Sequence, residues 1–204
     1  MAEQVMRETA QSKGLRARDF ATLGIFSALL FVLTMVVGML MNNPLALVPW
    51  APTAIAIVGG PLYLMMPAKV GKRGAILIPA LVVGVIWALM GGMFVLVGMV
   101  VAGIVGEIVV ARTNYKSFAA MVVAYVLFVV AYHIGSVSIA WIINDYFTQF
   151  ASYPAELAAM MEGAINSPNG YVSIVGAVAG ALVGALFGRA VLKKHFVAAG
   201  VVQG

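Results

Sequence analysis

Apolar stretches of about bilayer length follow one another along almost the whole chain, broken by short polar, glycine or proline joints. This pattern limits the possible folds more than any motif does. A hydrocarbon core of roughly 30 Å takes about 20 apolar helical residues, and backbone groups inside it must be satisfied within the protein. Six spans fit, at about 20–41, 45–66, 74–90, 93–111, 117–143 and 171–192. Residues 1–19 then form a cytoplasmic N-terminal arm, 144–170 an outer loop and 193–204 a cytoplasmic tail. The expected fold class is all-α, a polytopic membrane protein with six transmembrane helices in one domain. Hydrophobic residues make up 63% and charged residues 9% of the 204, far from the composition of a soluble domain.

The joints carry their own information. Residues 1–19 are polar, and the apolar run after them is too long for the core of a signal peptide. Asn42, Asn43 and Pro44 end the first span. Pro49, Pro52 and Pro61 interrupt the second and Pro67 follows it; such breaks persist in a membrane only when buried in protein or facing a wet cavity. Gly91 and Gly92 divide an apolar run too long for one crossing. In the outer loop, Pro154 and Glu156 fit the first turn of a short helix that residues 166–170 would stop.

The charges test the count of spans. All 12 lysines and arginines fall in the N-terminal arm, in 69–73, in 112–116 or at the C-terminal end. The joints near 43, near 91 and across 144–170 contain none. With six spans the two sets lie on opposite sides, and the positive-inside rule places both termini in the cytoplasm of a multi-pass cell-membrane protein. The basic excess is therefore read as a topology signal with lipid contacts, and nucleic acid is not an expected partner.

Few groups could carry chemistry. There is no Walker A loop, HExxH pair or GxSxG elbow, and no cysteine for a disulfide, thiolate metal site or nucleophile. The two histidines, His133 and His195, fall on opposite sides, which excludes a two-histidine metal site. No catalytic residue, metal or cofactor is expected. Glu107, about one turn before Arg112, either pairs with that arginine or a neighbouring basic loop, or meets a partner subunit.

His133 lies in the outer half of the fifth span, where an imidazole either bonds a neighbouring helix or lines a ligand cavity. Trp50, Trp87, Ser136, Trp141, Asn144, Asn169 and Tyr171 map to the same half or its edge. The tryptophans and tyrosine also suit an interfacial aromatic belt. Aromatic walls with a few amide, imidazole and hydroxyl groups are what a small-molecule pocket needs. That pocket is expected between the outer halves of the third, fifth and sixth spans. The loop helix near 155–165 would close it with Leu157, Met160 and Met161, leaving Glu156 and Glu162 in water.

Small residues recur at helical spacing in several spans. The series are Ala17, Ala21, Gly24, Ala28; Ala80, Gly84, Ala88, Gly92; Gly98, Ala102, Gly106; and Gly176, Gly180, Gly184, Gly188, with Ala177, Ala181 and Ala185 one step behind the last. In lipid, small residues let helix backbones approach closely. Most such stripes serve internal packing. The first begins level with the cytoplasmic interface and is the better candidate for a subunit contact.

Three segments resemble the Trep-Strep family of membrane proteins. They are Gly188-Arg189-Ala190-Val191-Leu192-Lys193-Lys194-His195-Phe196 with Ala199-Gly200 after it, the opening Asp19-Phe20-Ala21-Thr22-Leu23-Gly24-Ile25-Phe26-Ser27-Ala28-Leu29, and Asn114-Tyr115-Lys116-Ser117. The resemblance spans essentially the whole chain, and the C-terminal segment is its most specific part. The family is regarded as substrate-binding (S) components of energy-coupling factor (ECF) transporters. That implies six helices, a vitamin-like molecule bound near the outside, and assembly with a transmembrane coupling subunit and two ATPases. It also implies docking of Ala17, Ala21, Gly24 and Ala28 on the coupling subunit.

The expected function is solute capture for an ATP-driven importer, with ATP hydrolysis in the partners and no enzymatic activity in this chain. A self-sufficient secondary transporter would need a coupling-ion site near the midplane, and mid-membrane acids are scarce. An intramembrane enzyme would need a cluster of catalytic groups.

Overall fold

The computed structural model describes residues 14–43 and 45–193. The expectations for 1–13, Pro44, Lys194, His195 and the rest of the tail lie outside the described residues. The fold is a helical bundle. Helix α1 spans Ala17–Met41, and a 3₁₀ turn at Leu45–Trp50 leads into α2, Ala51–Val70. Then come α3, Leu77–Leu89; α4, Met93–Ala111; and α5, Phe118–Ser136. A second 3₁₀ turn, Ser138–Trp141, is followed by the short helices α6, Tyr146–Gln149, and α7, Ala155–Ile165. Helix α8, Pro168–Leu192, closes the described chain.

Five segments are long and apolar enough to cross a membrane: Ala17–Met41, Leu45–Val70, Met93–Ala111, Phe118–Ser136 and Pro168–Leu192. The apolar helix Leu77–Leu89 is shorter. At 13 residues it is about 20 Å long, less than a hydrocarbon core. The expected third span, 74–90, is thus cut back at its start, where turns replace helix through Ile76.

Three other boundaries differ from the sequence reading. The fifth span stops at Ser136 rather than 143, because the chain turns at Val137 into the Ser138–Trp141 3₁₀ turn. That turn sends Ile139 and Ala140 into a separate core outside the bundle. The sixth span begins at Pro168 rather than Tyr171. The Ser167 hydroxyl accepts the Gly170 N–H at 3.2 Å, and proline fills the first turn, where its missing donor costs nothing. The second span runs through Pro61 and Pro67 to Val70 and ends in left-handed Gly71.

Two apolar cores result. The bundle core centres on Tyr63, Tyr125 and Phe128, with ring centroids 4.8 Å and 5.0 Å from Tyr63. The Tyr125 hydroxyl donates to the Ala56 carbonyl at 2.6 Å, and that of Tyr63 to the Ala124 carbonyl at 3.2 Å. The second core lies under α6 and α7 and joins Val48, Val137, Ile139, Tyr146, Phe147, Ala158, Met161 and Ile165. Gly91, at φ 93°, is a fulcrum here: a Cβ on it would stand 2.8 Å from the Phe150 carbonyl oxygen.

The basic ends of the helices meet. Lys72 Nζ lies 2.7 Å from Asp19 Oδ2, Lys69 stands over the Phe26 ring, and Arg189 over the Phe118 ring. The joints without lysine or arginine gather at the opposite end with the second core.

Candidate functional site

His133 is fully buried near the end of α5, beside the Ser138–Trp141 turn. Its Nδ1 lies 2.9 Å from Ser138 Oγ and its Nε2 2.8 Å from Ser173 Oγ. The Ser173 hydroxyl also faces the Gly170 carbonyl at 2.6 Å. A hydroxyl has one proton. If Ser173 gives it to that carbonyl, Ser173 must accept from Nε2–H, and Nδ1 accepts the proton of Ser138. The imidazole is then the neutral Nε2–H tautomer, with both nitrogens paired inside the protein.

The indole of Trp141 lies 6.1 Å from the His133 ring and 5.1 Å from the Tyr171 ring, centroid to centroid. Its N–H donates to the Ile165 carbonyl at 3.1 Å, tying the 3₁₀ turn to the end of α7. Trp50 presses on α8 at Gly176, where a Cβ would stand 2.4 Å from the indole edge. The neighbouring Thr53 hydroxyl is buried without a partner among the described residues. Trp87, near the C-terminal end of α3, packs edge-on against Phe31 and Tyr132, at 6.1 Å and 5.6 Å. Its indole N–H is likewise buried and unpaired among the described residues.

The structure thus brings His133, Trp141 and Tyr171 together, and sets Trp50 on the α2–α8 seam. Trp87 lies on the other side of α5, against Tyr132. Ser136 does not join the imidazole, because its hydroxyl bonds back to the Tyr132 carbonyl at 2.6 Å. Asn144 and Asn169 are exposed. Sequence reasoning missed Ser138, Ser173 and Thr53. Ser167-Pro168 was the available signal for Ser173, since a helix starting there carries Ser173 into its second turn. Of the expected lid face, Met161 is buried, Leu157 half-buried and Met160 exposed. Glu156 is exposed, while Glu162 accepts the Phe147 N–H at 3.3 Å.

Glu107 has a different role from an ion pair with Arg112. Its carboxylate accepts the backbone N–H groups of Gly74, Ile76 and Leu77 at 2.8, 3.0 and 3.0 Å. It also accepts the Tyr115 hydroxyl. A side chain of α4 therefore caps the start of α3, satisfying donors that a helix leaves open.

The small-residue stripes separate cleanly. On α8, Gly180 and Gly184 lie against the Thr53 and Ala56 backbone, and Gly188 against Gly60 and Leu64 of α2. Ala177, Ala181 and Ala185 are buried. Gly84 faces Leu96 and Met99, while Gly98 and Gly106 face Ala131 and Ala124 of α5. On α1 the buried face is Leu23, Ser27, Leu30 and Thr34. Ala17, Ala21, Gly24 and Ala28 are exposed, and a Cβ on Gly24 would meet nothing within 4 Å.

Long apolar helices joined at two ends, one basic and one without lysine or arginine, define an α-helical multi-pass membrane protein. The family model for Trep_Strep, described as a hypothetical bacterial integral membrane protein, matches residues 17–197, and the chain belongs to that family. No curated protein and no solved structure matches it. Among the described residues no cluster of His, Asp and Glu could hold a metal ion.

Proposed function

We propose that this chain is the substrate-capturing subunit of an ATP-driven importer of the energy-coupling factor type. It takes a small vitamin-like solute from outside, and a transmembrane coupling subunit with two ATPases drives uptake. The observation that carries this reading is the open stripe on α1. The Gly84, Gly98 and Gly184 stripes are filled by neighbouring helices, whereas Ala17, Ala21, Gly24 and Ala28 face outward at the basic end of the bundle. A second helix backbone can approach closely there.

On this reading the solute binds at the opposite end, under α7. The aromatic faces of Trp50, Trp141 and Tyr171 would line its site, with Trp87 apart from them on the other side of α5. The buried Thr53 hydroxyl, which lacks a partner among the described residues, would supply a polar contact. Both termini are cytoplasmic and 144–170 lies outside, so a cysteine at position 166 should label with an impermeant reagent from outside and one at position 72 should not.

The deciding experiment places leucine on α1. Gly24→Leu and Ala28→Leu should leave the isolated chain folded, while recovery of the coupling subunit and ATPases falls together with solute uptake. Intact recovery of the complex in both variants would dismiss the assignment.

A further inference from the structure

The basic end of the bundle contains a feature that solute capture does not use. A cavity of about 500 Å³ opens between the start of α3 and the end of α4, lined by Arg73, Leu77, Glu107, Ile108 and Arg112 among others. Arg73 and Arg112, both exposed, stand among lining residues whose surface is mostly apolar. Among the described residues neither makes a hydrogen bond or ion pair, and the one carboxylate in the cavity, Glu107, is already occupied by Gly74, Ile76, Leu77 and Tyr115. The floor is apolar, and it continues outward along exposed Ile108 and Ile104 of α4, on the surface that meets acyl chains.

We infer that this cavity binds the phosphate headgroup of an anionic phospholipid, with an acyl chain laid along α4. Three features favour that occupant over a soluble anion. Guanidinium groups match phosphate oxygens with paired N–H donors. They stand where the chain leaves the membrane, at the depth of lipid phosphates. The exposed isoleucines beside them offer no hydrogen bond to a hydrophilic ligand but suit a hydrocarbon tail. Four donors and the positive start of α3 offset part of the Glu107 charge beside the site.

The test is native mass spectrometry of the full chain in detergent, titrated in turn with phosphatidylglycerol and phosphatidylcholine. Phosphatidylglycerol should be retained at least fivefold better, and Arg73→Gln with Arg112→Gln should abolish the difference. A control that removes the same charge elsewhere, Arg18→Gln with Lys116→Gln, should preserve it. Arg73→Lys with Arg112→Lys, which keeps the charge, should retain part of the preference and guards against misfolding of the glutamine pair. Equal retention of the two lipids, or equal loss in the control pair, would overturn the proposal. So would full displacement of the lipid by millimolar inorganic phosphate, which would mark a site for the free anion.

Discussion

Gly60 of α2 and Gly184 of α8 meet backbone to backbone: a Cβ on Gly60 would stand 2.1 Å from the Gly184 carbonyl oxygen, and one on Gly184 2.0 Å from that of Ala56. Pro61 sharpens the contact, since it supplies no N–H to the Ile57 carbonyl that Gly184 also faces. Gly184→Ala should therefore force the helices apart and lower stability by about 1–3 kcal/mol, the usual cost of overpacking. Gly24→Ala, in open space, should leave the melting temperature in detergent unchanged. Equal melting of the two variants would remove the close seam.

Glu107→Ala should loosen α3 from α4. It leaves buried donors without an acceptor, at about 1–3 kcal/mol for each such group. Hydrogen exchange should rise at the amides of 74–80 before the rest of the bundle. Glu107→Gln keeps one acceptor oxygen and should show a smaller effect. Unchanged exchange at the start of α3 in the alanine variant would contradict the cap.

Tyr115 lies in the loop between α4 and α5, outside the spanning segments. Burial first, then its hydrogen bond to the Glu107 carboxylate, raises the phenol above its ordinary value of 10.0. The folded state thus holds the proton more tightly than the unfolded chain. Its contribution is fully present below pH 10 and is lost as the pH rises further. Stability in detergent should decline above about pH 10. The decline should be shallower in Tyr115→Phe; identical profiles would show that the phenol is not coupled to folding.

For His133, nitrogen-15 spectra of histidine-labelled protein should show Nε2 protonated and Nδ1 bare. Ser173→Ala removes the acceptor and should destabilise the fold by about 1–3 kcal/mol. Observation of Nδ1–H would reverse the direction of the Ser138–His133–Ser173 chain.

Much of this architecture is legible in the residue order, for a physical reason. Span length and charge placement are local properties, and both act through the bilayer, so Ala17–Met41 and Met93–Ala111 emerge nearly as expected. What spacing cannot reveal is which neighbour a helix face meets. Gly24 and Gly184 look alike in sequence, yet one faces open space and the other a carbonyl. Glu107 looked like half of an ion pair because its acceptors' partners, the amides of 74–77, are backbone groups that no side chain announces. The second core was hidden because its members come from short turns with no helical period, such as Ser138–Trp141. His133 was visible as a buried polar group, but Ser173 was not, since its position depends on α8 starting at Pro168.

The cap on α3 also bears on how the chain enters the membrane during synthesis. Helix α3 is short, and its opening amides are satisfied by a carboxylate that the ribosome adds 30–33 residues later. Until Glu107 is made, those amides lack the acceptor they have in the folded chain, so the start of α3 cannot take its final form before α4 packs beside it.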